Sequence, residues 1–194
     1  SFLSSSHQNA KLAAQELEGV HVINSKNLSS GTGQIALMAC ELRDKGLSAE
    51  ETVAICEEAV DRLDVTFIIE TLGYLQAGGR CSVVAKFGAN LLNLRPSIIV
   101  QQNQMVVGKK YRGKILDCYL KYIREQLGDA SDVVLDRIFF THSKMNPEYV
   151  KACMEEIRKI APFKEIIETE AGSVISCHCG PGCCGVLFFR THKK

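Results

Sequence analysis

The sequence lacks an excess of charge of either sign, and it lacks a long apolar run. Its 194 residues include 23 Lys and Arg against 22 Asp and Glu, which gives a formal net charge of +1. A chain with so little net charge has no large field to draw it to nucleic acid or to an anionic membrane. No stretch approaches the roughly 20 apolar residues that span a bilayer. We therefore expect a soluble, cytoplasmic protein that binds no nucleic acid and is not stably inserted in a membrane.

The common signatures of catalysis are also missing. The sequence shows neither paired catalytic carboxylates nor a nucleophile with an adjacent base. The stretch "SSGTGQ" has two glycines before a helix, but it lacks the Lys of a P-loop and the third glycine of a dinucleotide fingerprint. An acidic cluster that would hold Mg²⁺ for phosphoryl transfer is absent as well. These absences give no support for nucleotide binding or for these kinds of catalysis, and no cofactor is predicted.

Cysteine, by contrast, is plentiful. The nine cysteines are an odd number, and several lie in apolar stretches, which is typical of a reduced intracellular protein. The segment "CHCGPGCC" (177–184) contains ligand types that zinc accepts. Structural zinc sites, however, have two separated ligand pairs, and no second pair exists in this chain. Cys183 and Cys184 are adjacent, and neighbouring strand residues point to opposite faces, so we predict small buried thiols and no metal.

Helical and strand-like patterns alternate along the chain and predict an α/β fold with a largely parallel sheet. Ser48 and Glu51 form a capping box for one helix, and Pro147 suits the first turn of another. A hairpin is expected across Asn103, which makes the sheet mixed in the second half of the chain. The stretches "VHVIN", "SVIS" and "GVLFF" are interpreted as strands, and "SVVAKFGANLLNL" as a helix.

Two groups of serines precede or open predicted helices. Ser4, Ser5 and Ser6 lie just before the first helix, where serine is a preferred N-cap. Ser29 and Ser30 open a second helix after a predicted strand, at the position where α/β sheets bind ligands. A helix N-terminus with spare hydroxyl groups is also suited to bind an anion, so the capping and binding interpretations are compatible.

Six stretches, in this order, resemble the DegV family of bacterial fatty-acid-binding proteins. They are "LSSSHQNAKLAAQEL", "VINSKNLSSGTG", "TLGYLQAGGRCS", "LNLRPSIIV", "YRGK" and "SCHCGPGCCGVLFF". The resemblance extends over essentially all of the chain and covers the later two thirds of a typical member. It implies two α/β domains with mixed or parallel sheets flanked by helices. We expect residues 1–63 to belong to the N-terminal domain, whose opening strands lie in a missing N-terminal segment, and residues 64–194 to form the C-terminal domain.

The resemblance also implies the ligand and its contacts. Ser6 takes the position of the family's lipid-contacting Thr, and Ser29 takes that of a second hydroxyl ligand, although Asn24 stands where the family has Asp. His178 matches the family's histidine before the Gly-Pro-Gly turn. These three residues would hold the carboxyl group of a long-chain fatty acid between the two domains. The predicted secondary contacts are Ser4, Ser30 and Arg80.

Members of the family resemble carriers that present the acyl group to a separate fatty acid kinase, which forms the acyl phosphate. On that basis Arg80 and Arg112 are candidates for docking the kinase catalytic subunit. Two alternatives stay open at this point. One is a phosphoryl-transfer enzyme related to dihydroxyacetone kinase, and the other is a metal or redox protein built on the cysteine cluster.

Overall fold

A computed structural model describes residues 4–79, 94–101 and 104–193. Within these ranges the chain forms seven helices and six strands, which alternate much as the sequence predicts. The elements are α1 (Ser6–Ala14), α2 (Ser29–Asp44), α3 (Ala49–Val60), β1 (Leu63–Ile68), α4 (Gly73–Ala77), β2 (Arg95–Gln101), β3 (Gln104–Tyr111), α5 (Ile115–Leu127), β4 (Val133–His142), α6 (Pro147–Ile160), β5 (Glu165–Glu170), α7 (Ser173–Cys179) and β6 (Cys184–Arg190).

The six strands form one mixed sheet in the order β3-β2-β1-β6-β4-β5. The α/β class is confirmed, and so is the β2–β3 hairpin, which pairs Gln101 with Gln104. The expectation of a largely parallel sheet is wrong, since among the described strands only β4 and β5 pair in parallel. A central strand such as β1 is buried on both faces whichever way its neighbours run, so its pattern does not give strand direction.

Helices cover both faces of the sheet, and each face has its own apolar cluster. On one face α5 and α6 pack on side chains that include Phe140 and Phe188. On the other face α2, α3 and α7 pack on side chains that include Phe67 and Leu187. Alternation along the strands separates the two sets, and the second face is the one that carries the candidate site.

Several local predictions are confirmed. At α3 the amide of Glu51 donates to Ser48 Oγ (3.2 Å) and the amide of Ser48 donates to Glu51 Oε2 (2.8 Å), which completes the capping box. Pro147 occupies the first turn of α6, where Asn146 provides the cap. The stretch "GVLFF" lies in β6. The predicted helix in "SVVAKFGANLLNL" lies almost wholly outside the described residues.

Two predicted strands are wrong. Residues 20–24 ("VHVIN") form no strand but run as irregular backbone, with Val22 and Ile23 facing a cavity. Residues 173–176 ("SVIS") begin α7, so His178 lies in the last turn of a helix and not between two strands. Both stretches are apolar because they line a cavity, which periodicity does not distinguish from a sheet partner. Among the described helices, none is long and apolar enough to cross a membrane.

Tyr122 offers a test of the packing between α5 and the sheet. Its side chain is fully buried, and its hydroxyl lies 2.7 Å from Thr66 Oγ1 and accepts a hydrogen bond from the amide of Val186 (3.2 Å). Tyr122→Phe should lower the free energy of unfolding by about 1 to 3 kcal/mol, because it leaves buried polar groups without this partner. Urea denaturation measures the change, and Tyr74→Phe, at a largely exposed ring, is the control. Equal stability of the wild type, Tyr122→Phe and Tyr74→Phe would contradict a stabilising role for the hydrogen bonds of the Tyr122 hydroxyl.

Candidate functional site

The candidate site is a cavity of about 530 Å³ on the α2 face of the sheet. It lies within the range of volumes found for small-molecule sites. Its wall is formed by α1, the segment between α1 and α2, the sheet and α7. The apolar lining includes Val22, Ile23, Leu28, Phe67, Leu75, Met105, Val174 and Ile175. The cavity therefore suits an apolar ligand, with polar side chains gathered on part of the wall.

Two of the three predicted ligand residues, Ser6 and His178, line this cavity together although they are far apart in the sequence. Ser4, a predicted secondary contact, lines it too, and its Oγ lies 2.7 Å from Ser6 Oγ. The amide of Ser6 donates to Ser4 Oγ (3.0 Å) at the start of α1. Ser5 is the N-cap residue but makes no side-chain cap hydrogen bond, so the predicted capping role belongs to Ser4.

Ser29 lines a second, smaller cavity of about 30 Å³. The two cavities adjoin, since Leu28, Phe67, Ile175 and Cys179 line both. Ser29 is thus close to the wall of the larger cavity without lining it. The structure thus places the three predicted residues at two adjoining cavities.

The N-terminus of α2 lies where the two cavities meet. Its N-cap residue is Leu28, which offers no side-chain cap, so the amides of the first turn have no side-chain acceptor there. Ser29 has a positive φ of 50°, a conformation that costs a non-glycine residue energy. A Cβ at Gly31 would lie 2.8 Å from Val65 Cγ2, so glycine allows α2 to approach β1. This helix end is suited to an anionic group.

His178 is half-buried and held against the C-terminus of α4. Its Nδ1 is buried and has no hydrogen-bond partner among the described residues. A Cβ at Gly78 would overlap the imidazole ring, so glycine is needed there for the ring to pack. This nitrogen lies against Gly78, and a buried ring nitrogen without a partner is costly in the folded protein.

The other predicted residues have different positions. Ser30 is directed to the sheet, where Thr141 Oγ1 donates to its Oγ (2.8 Å) and Thr169 Oγ1 lies at 3.1 Å. It is not among the described residues that line the two cavities. Arg112 is exposed directly after the edge strand β3. Arg80 lies outside the described residues.

Sequence reasoning missed a second hydroxyl pair in the cavity wall. Ser25 Oγ lies 3.0 Å from Thr32 Oγ1, and both residues line the larger cavity. The available signal was helical spacing, because Thr32 follows Ser29 by three residues and so shares its side of α2. Asn27, whose buried Oδ1 has no partner among the described residues, is a further polar group on the same wall.

The cysteine cluster is divided between the two faces of the sheet. Cys177 is exposed, Cys179 and Cys183 pack in the apolar cluster beside the cavities, and Cys184 packs in the opposite cluster. The predicted divergence of Cys183 and Cys184 is therefore confirmed. In the part of the chain that the structure describes, no three His, Cys, Asp or Glu side chains are grouped so that they could hold a metal ion.

Gly78→Ala tests whether the His178 ring matters for binding. The added methyl group would overlap the imidazole and displace it from the cavity wall, and the backbone at Gly78 (φ −76°) accepts alanine. We expect the affinity for a fatty acid to fall by about 1 to 3 kcal/mol, the cost of one lost buried hydrogen bond. The control is Gly73→Ala at the other end of α4, where the Cβ meets only an ordinary contact at 3.5 Å. Isothermal calorimetry with palmitate compares the two variants, and equal affinities would contradict the role of the ring.

The fold and the cavity define an α/β protein with a ligand-sized, largely apolar site beside a mixed sheet. The chain belongs to the DegV family, whose model matches residues 1–191.

Comparison with individual proteins supports this membership. A DegV domain-containing protein of Clostridium acetobutylicum is 30% identical over 198 residues, which cover 98% of this chain and 67% of that protein. The fatty-acid-binding DegV family protein of Thermus thermophilus is 30% identical and superposes with a TM-score of 0.81. The match covers 97% of this chain and 67% of that protein. A DegV lipid binding protein of Thermotoga maritima is 25% identical with a TM-score of 0.84, and the match covers 100% of this chain and 67% of that protein. The chain spans about two thirds of the length of these relatives.

Proposed function

We propose that this chain binds a long-chain fatty acid in the larger cavity, with the acyl tail against the apolar wall. The observation that carries the proposal is the 530 Å³ cavity, in which Ser6 and His178 share a wall with an uncapped helix N-terminus. Relatives that are 25% and 30% identical are a lipid-binding and a fatty-acid-binding protein. The lining residues come from both predicted domains, which supports a ligand between residues 1–63 and residues 64–194.

The tail supplies most of the affinity. A sixteen-carbon chain has about fourteen methylenes, and at about 0.8 kcal/mol each the gross transfer free energy is roughly 11 kcal/mol before the cost of ordering. Phe67, Leu75 and Met105 are among the side chains that would contact it.

The head group determines orientation and selectivity. A buried carboxylate is costly unless hydrogen-bond donors meet it. The hydroxyl groups of Ser6 and Ser29 and the His178 ring can each donate one hydrogen bond, and the N-terminus of α2, which has no side-chain cap, adds to them. The Ser4 hydroxyl helps to orient the Ser6 hydroxyl, since their oxygens lie 2.7 Å apart.

Extraction of the purified protein with organic solvent, followed by mass spectrometry, tests this function. Near-stoichiometric long-chain fatty acid is the expected result, and the acyl chain length follows from the mass. Zinc is assayed on the same sample. One zinc ion per chain without lipid would overturn the proposal and restore the cysteine cluster as a metal site.

We further propose that the bound acid is presented to a fatty acid kinase, which forms the acyl phosphate, so that this chain needs no catalytic base. The family resemblance and the exposure of Arg112 beside the edge strand support this step. Arg80 is the second proposed docking residue. Charge reversal at both arginines should abolish acyl-phosphate formation by the kinase. Charge reversal at Arg112 alone should leave fatty acid binding unchanged, because only Arg80 is also a predicted contact of the acid. Unaltered acyl-phosphate formation would exclude them as docking residues.

A further inference from the structure

Cys179 and Cys183 face each other across the turn that joins α7 to β6. Cys179 ends the helix, Cys183 precedes the strand, and both line the smaller cavity. Cys179 also lines the larger cavity, so a small molecule that enters the site would lie beside this residue. The described structure holds both thiols reduced.

The turn between them is held in place by Ser143. The Ser143 hydroxyl donates to the carbonyl of Gly180, the amide of Gly182 donates to the carbonyl of Ser143 (3.0 Å), and the amide of Ser143 donates to the carbonyl of Cys183 (2.8 Å). Gly180 and Gly182 have positive φ values of 77° and 72°, which glycine adopts without strain. This turn fixes the backbone between Cys179 and Cys183, whose side chains line the same cavity of about 30 Å³.

The two thiols also differ in acidity. A hydrogen bond from the Cys183 thiol lowers the pKa of Cys179, while the same hydrogen bond and burial raise the pKa of Cys183. The thiolate is the nucleophilic form of cysteine, so Cys179 is the reactive member and Cys183 the resolving one. This asymmetry is the arrangement found where a sensor cysteine has a neighbouring resolving thiol.

We propose that Cys179 and Cys183 form a redox site that reduces a hydroperoxide entering the cavity and closes to a reversible disulfide. The Cys179 thiolate attacks the terminal peroxide oxygen, the O–O bond breaks, and the leaving alkoxide takes up a proton to become an alcohol, or water in the case of hydrogen peroxide. Cys179 is then a sulfenic acid. The Cys183 sulfur attacks it, the S–S bond forms, and the S–O bond breaks with release of water. In sum, two thiols and one hydroperoxide give a disulfide, an alcohol and water, and a dithiol reductant restores the thiols.

A second cysteine pair provides an internal control. Cys153 and Cys184 are fully buried in the cluster on the opposite face of the sheet and line neither cavity. Burial and the neighbouring Cys153 raise the pKa of Cys184. Proximity of two thiols is therefore common to both pairs, whereas access from the cavity distinguishes Cys179 and Cys183. Only the cavity pair should react with peroxide.

The test uses a background in which Cys40 and Cys177, which are exposed, and Cys81, which lies outside the described residues, are replaced by serine. Hydrogen peroxide is the probe, followed by alkylation of the remaining thiols and intact mass spectrometry. We expect the mass to fall by two hydrogen atoms, two thiols to be protected from alkylation, and dithiothreitol to reverse both changes. Cys184→Ser should retain this response. Cys179→Ser should lose it, and Cys183→Ser should instead trap a sulfenic acid that dimedone labels at Cys179.

Each outcome decides the proposal. A disulfide that persists in Cys179→Ser, or one that is lost in Cys184→Ser, would overturn it, as would the absence of any disulfide in a background protein whose circular dichroism shows it folded. Preloading with palmitate should slow the reaction on the order of tenfold because the ligand blocks access to Cys179. That last readout rests on the proposed function. If no fatty acid binds, the protection is lost but the disulfide still forms, so the two failures are distinguishable.

Discussion

Replacing either Ser6 or Ser29 by alanine should weaken fatty acid binding by about 1 to 3 kcal/mol, roughly 5- to 150-fold in the dissociation constant. The reason is that each change leaves one buried carboxylate oxygen without a donor, while the tail contacts are unaltered. Replacing His178 by alanine should have an effect in the same range. Titration of the delipidated protein with palmitate measures the affinities. Palmityl alcohol should bind with little difference between the wild type and the variants, because it places no charge at these donors.

Ser30 supplies the matched control for Ser29. It is the next residue along α2, but its hydroxyl is tied to Thr141 and Thr169 in the sheet. Ser30→Ala should therefore lower stability without changing affinity. Ser29→Gly also separates the effect on affinity from the effect on stability. Glycine removes the hydroxyl group and adopts the positive φ of 50° without strain. We expect lower affinity together with equal or greater stability. Unchanged affinity in both Ser6→Ala and Ser29→Ala would refute the head-group assignment.

The site could be predicted from sequence only where residues are anchored by a motif. Ser6, Ser29 and His178 stand in stretches that resemble a family pattern, and the structure places them at two adjoining cavities. Their roles as ligands stay a prediction. Helical spacing puts Thr32 on the same side of α2 as Ser29, but nothing local in the sequence shows that Ser25 lies against it, so the pair was not predicted. Ser30 carries the same residue type as Ser29 in the next position, and only the tertiary structure shows that it is directed to the sheet.

The fold followed the sequence best where the signal is local. The capping box of Ser48 and Glu51 and the first-turn Pro147 act through neighbouring residues, and both are found as predicted. Failure occurred where an apolar segment packs against a cavity instead of a sheet. Val174 and Ile175 favour strands by propensity, yet Gly172 begins and Gly180 ends a helix there that contacts the site. Tertiary packing overrides propensity in a segment this short.

Removal of the guanidinium at position 190 should have the largest effect on stability. Asp64 in β1 is 2% exposed, and Arg190 at the end of β6 donates to its Oδ2 at 2.6 Å. Arg190 also donates to both carboxylate oxygens of Asp132 (2.6 Å) and to the carbonyl of Gln126 (3.1 Å), so it joins β1, α5 and the start of β4. Arg190→Met should lower the free energy of unfolding by about 3 to 5 kcal/mol, because a buried carboxylate loses its cationic partner. Urea denaturation at neutral pH measures it.

Two comparisons show whether burial of the ion pair causes the loss of stability in Arg190→Met. Lys164 and Asp136 form an ion pair at the same 2.6 Å, but their side chains are 77% and 68% exposed. Lys164→Met should therefore leave stability almost unchanged, since water already screens this pair. The double variant Asp64→Leu with Arg190→Met removes both buried charges and should recover part of the loss, because the cost arises from leaving one charge behind. A double variant less stable than Arg190→Met alone would show that the two charges stabilise the fold through other partners, and would refute the burial of one charge as the cause of the loss.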